Sequence, residues 1–489
     1  RGLRAWLLAK LGKEKAAARM IEDNLELDPF DFVSGFEAIK AENDSEKKQK
    51  MLDDLNGLMR NFQENYLMTA RDFAQWGAYE DAVLVLKQCT KKYPMLYYYA
   101  AYYEEKMGED EAAKKSLDKA ESCAFDYCFP NKLDDIAVLT FAIENGCKKK
   151  APYYLGNLFY DKLQWKKSVE LWEMSKKTDD TFSIVHRNLA LAYYNKMGDS
   201  KAAKRELEKA FSLNRKDARI FLELDQLYKK LGYSFKERLA KYDEDPSLAE
   251  SRDDLYIEYI TLMNMCGEYE RAYRCIMGRR FHPWEGGEGK ITTQYTISLL
   301  EMAKQCLASE KYEQAEKLLK KALVYPENLG EGKLEGTKDN HLFYHLGLAL
   351  EAQGKHDEAK TCFETATIGT DEPAGAMYYN DQPADMILYQ GLAFEKLGKT
   401  REAKSRFYRL IDYGEQHLND EGKIEYFAVS LPDFLIFDED YTKKNRAHCC
   451  YLMALGNIGL QNREKAAEFL NEALEIEPSH MMATLYQKQ

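Results

Sequence analysis

One short phrase recurs along this chain of 489 residues and leaves it few folds to choose from. It runs Gly, then a small residue, a large apolar one, a second small one and often Pro. LGKEKAAARMIEDNLELDP carries Gly12 at a turn, Ala17, Ile21 four later and a closing Pro29. WGAYEDAVLVLKQCTKKYP repeats it with Gly77, Tyr79, Ala82, Leu86, Cys89 and Pro94, and MGEDEAAKKSLDKA with Gly108, Ala113, Leu117 and Ala120. Residues three and four apart share one helix face, so the helix after each Gly offers a stripe of small and large side chains. The small residue lets two helices approach, and the large one fills the gap to the next pair.

Later copies keep the order: Gly198, Ala203, Leu207 and Ala210; Gly267, Tyr269, Ala272 and Ile276; Tyr312, Ala315, Leu319, Ala322 and Pro326. Gly354, Ala359, Phe363 and Ala366 follow, then Gly398, Ala403 and Phe407, then Ala466, Leu470, Ala473 and Pro478. This grammar resembles the tetratricopeptide repeat, a helix–turn–helix unit of about 34 residues. The resemblance implies an all-α, right-handed superhelical solenoid. Three stretches depart from the pattern. Tyr153 to Ser175 has Leu155-Gly156 and Trp165 but no turn Gly; Phe221 to Tyr242 has a good first helix and a weak second; Asp31 to Asn65 is helical without a clear register. Repeats over 1–280 and loop-rich repeats over 281–489 are expected to form one continuous solenoid, with long insertions at 281–290, 326–340, 369–385 and 413–445.

Composition narrows the function. A net charge of −12 argues against nucleic-acid and anionic-membrane partners. No apolar run reaches the roughly 18 residues that span a bilayer, and the N-terminal segment breaks at Gly12 without a cleavage-type ending. Arg1 is an unusual start, so a fragment of a longer protein is expected. Ten scattered Cys without a CxxC pair fit reduced thiols and a cytoplasmic setting better than disulfides or a zinc ribbon.

The interruptions are where a site is expected. In FHPWEGGEGK, Trp284 flanked by His282, Glu285 and Glu288 has the elements of sugar recognition: an aromatic face, carboxylates, and glycines that bring the backbone close. It equally reads as a loop folded back on the solenoid with Trp284 as its plug. Arg279 and Arg280 suit a bidentate anion, or simple neutralisation of Glu285 and Glu288. Downstream, AMYYNDQPAD adds Tyr378, Tyr379, Asn380 and Asp381, while Asp385 is expected to cap the helix that starts near Met386. A glycosidase pair drawn from Glu285, Glu288 and Asp381 is the weakest reading, because spacing in sequence fixes no distance.

The NLGEGKLEG loop follows a helix and lacks the Lys-Ser/Thr ending, so nucleotide binding is rejected. His341 and His345 share a helix face but lack a zincin Glu or a third ligand; they read as packing, as does His448-Cys449-Cys450. FAVSLPDFLIF, broken at Pro432, reads as a buried connection packed on the last repeats. No metal, cofactor or catalytic residue is assigned, and catalysis by this chain on its own is not expected.

The loop motifs also carry a narrower resemblance. RDDLYIEY, FHPWEGGEG, YPENLGEGKLEG, AMYYNDQPADMILYQGLA and YFAVSLPDFLIFD, from about Tyr153 onward, are similar to the helical C-terminal region of a bacterial family of unknown function. Members of that family carry a mutarotase-like β-sandwich ahead of it. The resemblance implies a carbohydrate-associated N-terminal domain and supplies no catalytic residue. The expected function is a scaffold that binds a protein partner or that domain. The alternative is a non-catalytic part that completes a carbohydrate site.

Overall fold

The computed structural model describes residues 1–282, 284, 286–375, 382–422 and 436–488. Among them the regular secondary structure is helical throughout, and the helices fall into two compact units. The first unit, Arg1–Ala192, runs α1 (Gly2–Lys10), α2 (Glu14–Leu27), α3 (Phe32–Ala41), α4 (Ser45–Met59), α5 (Gln63–Gln75), α6 (Tyr79–Gln88), α7 (Pro94–Lys106), α8 (Asp110–Ser122), α9 (Leu133–Glu144), α10 (Lys150–Asp161) and α11 (Trp165–Thr178). It ends inside α12 (Ser183–Met197).

The second unit, Tyr193–Gln489, continues with α13 (Ser200–Leu213), α14 (Ala218–Lys230), α15 (Phe235–Asp243), α16 (Pro246–Glu250), α17 (Asp253–Cys266), α18 (Tyr269–Met277), α19 (Lys290–Ala308) and α20 (Tyr312–Ala322). A 3-10 turn at Glu327–Leu329 leads to α21 (Asn340–Ala352), α22 (His356–Ala366), α23 (Met386–Lys396), α24 (Thr400–His417), α25 (Tyr441–Gly459), α26 (Arg463–Ile476) and α27 (Met481–Gln487). Helix α24 runs through 413–417, a stretch read from sequence as the start of a loop.

Consecutive helices pack as pairs: α1 with α2, α5 with α6, α7 with α8 and α10 with α11 in the first unit. In the second, α19 pairs with α20, α21 with α22, α23 with α24 and α25 with α26. The first helices α17, α19, α21, α23 and α25 also touch in succession, which gives this unit one continuous face built from them. Within the second unit each of these pairs meets the next, α20 on α21, α22 on α23 and α24 on α25, as a repeat array should.

The stripe has a fixed metric. Counted from the turn residue, the fifth, ninth and twelfth positions of the second helix are buried: Ala113, Leu117 and Ala120 after Gly108, and Ala359, Phe363 and Ala366 after Gly354. Steps of four and three keep all of them on one face. The turn glycines sit at positive φ, between 67° and 85° at Gly198, Gly77, Gly108, Gly267, Gly354 and Gly398. The unit that lacks a turn Gly is not an exception. Leu163 takes that place at φ 60°, and Ser168, Trp172 and Ser175 fill the buried stripe at the same offsets. Glu310 at φ 57° and Gln461 at φ 59° do likewise before α20 and α26. A left-handed residue without Gly costs about 1–2 kcal/mol, which the packing of the pair outweighs.

Residue size is matched across the pair. Where the ninth residue is aromatic, a Gly faces it from the first helix: Gly156 under Trp172, Gly347 under Phe363, Gly391 under Phe407. A Cβ at Gly347 would lie 2.5 Å from Phe363 Cε1, and one at Gly391 2.2 Å from Phe407 Cε1. Where the ninth residue is Leu117, Leu319 or Leu470, the corresponding first-helix residue is Ala101, Ala303 or Ala454, each buried.

The weak second helix at α15 uses different chemistry. Its buried Arg238 donates to both carboxylate oxygens of Asp225, at 2.9 and 2.6 Å, and to Glu258 at 2.6 Å, while the Tyr242 hydroxyl donates to Asp225 at 3.0 Å. A buried ion pair, made through Nε and Nη2 of Arg238, holds this pair in register where the small-residue stripe fails.

Candidate functional site

The loop after α18 is organised around Asp253 at the start of α17. Arg279 forms an ion pair with Asp253 Oδ1, donates to the Glu250 carbonyl at 3.0 Å, and lies 4.6 Å over the Tyr256 ring and 5.5 Å over Phe281. The backbone N–H of His282 donates to Asp253 Oδ2 at 2.9 Å, and its exposed ring places Nδ1 3.3 Å from the same oxygen. Phe281 is buried between them, and its N–H donates to the Asn328 carbonyl at 2.8 Å. Asn328 returns the clamp by donating to the carbonyls of Ile276 and Arg279 at 2.8 and 2.9 Å.

Two of the four expected loops therefore meet. The second tie runs from the Gly289 N–H to Glu331 Oε2 at 2.8 Å. Burial pushes the Glu331 carboxyl above its usual range, against the pull of that N–H. Among the described residues, the Trp284 ring meets Gly287 and Lys290. A Cβ at Gly287 would sit 2.2 Å from its Cε2, so one ring face rests on bare backbone, and Lys290 Nζ lies 5.8 Å from the ring centroid. Glu288 accepts from the Gly286 N–H at 2.8 Å. Arg279 thus takes Asp253 at the start of α17 as a carboxylate partner. Arg280 and Glu288 are exposed.

The other predicted residues, Glu285, Tyr378, Tyr379, Asn380 and Asp381, lie outside the described residues. The described ends of that third loop are held by their own pair. Gln382 exchanges hydrogen bonds with the Thr370 backbone, accepting at 2.9 Å and donating at 2.6 Å, and Gln390 of α23 donates to the Thr370 carbonyl at 2.9 Å. Asp385 does occupy the residue before α23, but in helical geometry and without capping through its side chain. Its carboxylate instead turns inward to the Tyr451 hydroxyl at 3.5 Å, and burial raises it to about 6.

His341 and His345 belong to the packing of α21. His345 Nδ1–H donates to the His341 carbonyl at 2.7 Å, and burial holds both imidazoles down to about 3. His448 Nε2–H donates to the Ala374 carbonyl at 2.9 Å, beside buried Cys449 and Cys450.

Sequence reasoning missed a constellation at the start of the second unit. The fourth loop returns there, and its buried Phe437 packs on Tyr194 of α12 with ring centroids 5.0 Å apart. Asn195, on the same helix, donates from Nδ2 to the Ile436 carbonyl at 2.8 Å and accepts the Asp438 N–H on Oδ1 at 2.9 Å. Glu439 is clasped by Lys230 of α14 at 2.5 Å and by Lys444, which lower its carboxyl. The expectation that FAVSLPDFLIF packs on the last repeats is corrected for Ile436 and Phe437, which lie on α12; residues 427–435 of it lie outside the described residues. The only sequence signal was an aromatic residue before an acidic run. Nothing in the spacing tied it to Asn195.

Models of the tetratricopeptide repeat match residues 188–217, 341–367 and 447–480, and a second such model matches 385–413. These stretches are tetratricopeptide repeats. Among solved structures, a tetratricopeptide repeat protein from Parabacteroides merdae is 19% identical over 59% of this chain and 98% of its own, at a TM-score of 0.25. The APC/C hetero-tetramer Cut9–Hcn1 is 12% identical over 100% of this chain and 95% of its own, at 0.27. YrrB, described as a TPR protein with an unusual peptide-binding site, is 18% identical over 53% of this chain and 100% of its own, at 0.19. No helix among the described residues is long and apolar enough to cross a membrane.

Proposed function

We propose that this chain, with its tetratricopeptide repeats, is a protein-interaction scaffold whose first helices receive peptide segments. The observation that supports this is the grip of Asn195 on 436–438. A side-chain amide that donates to one peptide carbonyl and accepts the N–H two residues on reads backbone and not sequence. Phe437 in its aromatic seat and Glu439 between two lysines then supply specificity. The proposed partner presents an aromatic residue followed by acidic ones. It is a separate protein, or the mutarotase-like domain that the narrower resemblance implies.

The test loosens the resident segment with Phe437→Ala and Glu439→Ala and offers the chain a randomised peptide library. Enriched peptides should share an aromatic–acidic core. Adding Asn195→Ala should weaken them by about tenfold, the worth of a paired backbone hydrogen bond. No enrichment, or enrichment indifferent to Asn195, would end this reading.

The carbohydrate alternative keeps one supporting observation. The Trp284 loop and the 326–340 loop are tied into a single surface that carries a half-buried indole and the carboxylate of Glu331.

A further inference from the structure

Where α2 ends and α3 begins, the first unit holds a cavity of about 380 Å³, walled on its far side by α5 and open to solvent. That volume suits a small molecule, since ligand clefts run from about 300 to 1,000 Å³. Its rim is apolar. Leu27, Phe30 and Met68 line it together, and all three are left exposed.

Below the rim the polar side chains present oxygens. Asp31 Oδ1 and Oδ2 accept the Ser34 N–H and hydroxyl, each at 3.0 Å, and Asp28 Oδ1 accepts the Phe30 N–H at 2.9 Å. Because the Ser34 proton goes to Asp31, Ser34 Oγ is the acceptor for Asn24 Nδ2, at 3.0 Å. That orients the Asn24 amide and leaves Oδ1 as its unused end. Asn24 is 2% exposed and lines the cavity, and among the described residues no donor reaches its Oδ1. A buried amide oxygen is unfavourable until a donor is supplied. Asp72 of α5 completes the wall, half-buried and, among the described residues, in no hydrogen bond or ion pair. The Thr69 hydroxyl beside it spends its proton on the Asn65 carbonyl at 2.8 Å.

The cavity therefore offers acceptors, unpaired negative charge and apolar surface. Arg1, the basic residue of the lining, pairs with none of these carboxylates. An anion would face three aspartates, and a polyol would bring oxygens to a wall already rich in them. A hydrated metal ion would gain nothing from Leu27, Phe30 and Met68. A cationic N–H donor on an apolar body matches every feature: its charge meets Asp31 and Asp72, its protons satisfy Asn24, and Phe30 adds an aromatic wall.

We propose that this cavity binds a free organic cation, an ammonium or guanidinium on a short apolar body, held by Asn24 Oδ1, Asp31 and Asp72. The site lies wholly in the first unit. It goes beyond the scaffold reading, which concerns peptide segments on the second, and either can fail without the other.

The test titrates the intact chain by calorimetry with phenethylamine, hexylamine and agmatine, beside 2-phenylethanol as the neutral counterpart of the first. At least one cation should bind at millimolar concentration, and phenylethanol at least about tenfold more weakly than phenethylamine, because it brings no charge to Asp72. Asp72→Asn keeps the side-chain size and should weaken the bound cation by about tenfold or more, with far-UV circular dichroism unchanged. Arg1→Ala should not weaken it. Binding by none of the three cations would overturn the proposal. So would equal affinity for amine and alcohol, displacement of the amine by an equal concentration of calcium, or loss of binding with Arg1→Ala.

Hydrogen exchange on the intact chain covers the case of a misfolded variant. The bound cation should slow exchange of amides within 28–34 and 68–72 and leave the second unit unchanged. Protection confined to the second unit would put the cation elsewhere and refute the site.

Discussion

At the scale of single residues, the chain is governed by volume matching between two positions on facing helices. Gly faces Trp or Phe, and Ala stands at the same place where the partner is Leu. Gly347→Ala should therefore cost about 1–3 kcal/mol in urea unfolding, since the new methyl falls on the Phe363 ring. Adding Phe363→Leu should recover most of the loss by recreating the Ala–Leu combination of other pairs. A double variant no more stable than Gly347→Ala would show that the pairs are not interchangeable modules. Leu163, Glu310 and Gln461 make a related point. Turn geometry is imposed by the two helices that the turn joins, so a residue that disfavours positive φ still adopts it.

Among elements, the loops divide into those that brace the stack and those that occupy its face. The 281–290 loop is a brace: among the described residues, Phe281, Asn328 and the Gly289 N–H carry it, and the Trp284 ring makes none of these ties. Trp284→Ala should therefore leave far-UV circular dichroism unchanged. The same variant decides the carbohydrate alternative by calorimetry against mono- and oligosaccharides. Binding by the parent chain that the variant loses would favour a sugar surface, and no binding by either would remove it. The 436–439 segment and α27 are occupants. The segment is seated by side chains of first helices, whereas α27 also packs on the Leu470 and Ala473 stripe of α26.

On the scale of the whole molecule, two compact units and nearest-neighbour packing make staged unfolding the expected behaviour. The units should also differ in their response to acid. His341, His345, His448 and His480 all belong to the second unit, and burial holds them at about 3, 3, 4 and 4, below the ordinary 6.5. As pH falls through 6.5 the unfolded chain takes up protons that the folded one refuses, so stability is lost from there down toward 4. Asp385, raised to about 6, works the other way: its folded form holds a proton that the unfolded form has released, and acidification relieves it. Asp225, Glu331 and Asp339, also raised, act in the same sense as Asp385, and between pH 7 and 5 the four imidazoles outweigh these carboxyls. Between pH 7 and 5, calorimetry should show the transition of the second unit moving down, identified by its sensitivity to Gly347→Ala, while that of the first stays. A common shift of both would contradict this.

The sequence by itself determined the helix pairs, because their cause is local: a turn residue and a stripe at steps of four and three fit only one face of one helix. Even the stretch from Tyr153 to Ser175, which looked irregular for want of a Gly, obeys the metric once Leu163 is counted in the turn. The burial of His345 and Cys449 was legible for the same reason. What only the tertiary structure decided is which distant segments meet. Asn195 and Ile436, or Met265 and Leu485, are more than two hundred residues apart. Their meeting depends on rotations accumulated over the intervening pairs, and no local pattern records those. Arg279 meets Asp253 on the same grounds: the stack brings the start of α17 to it.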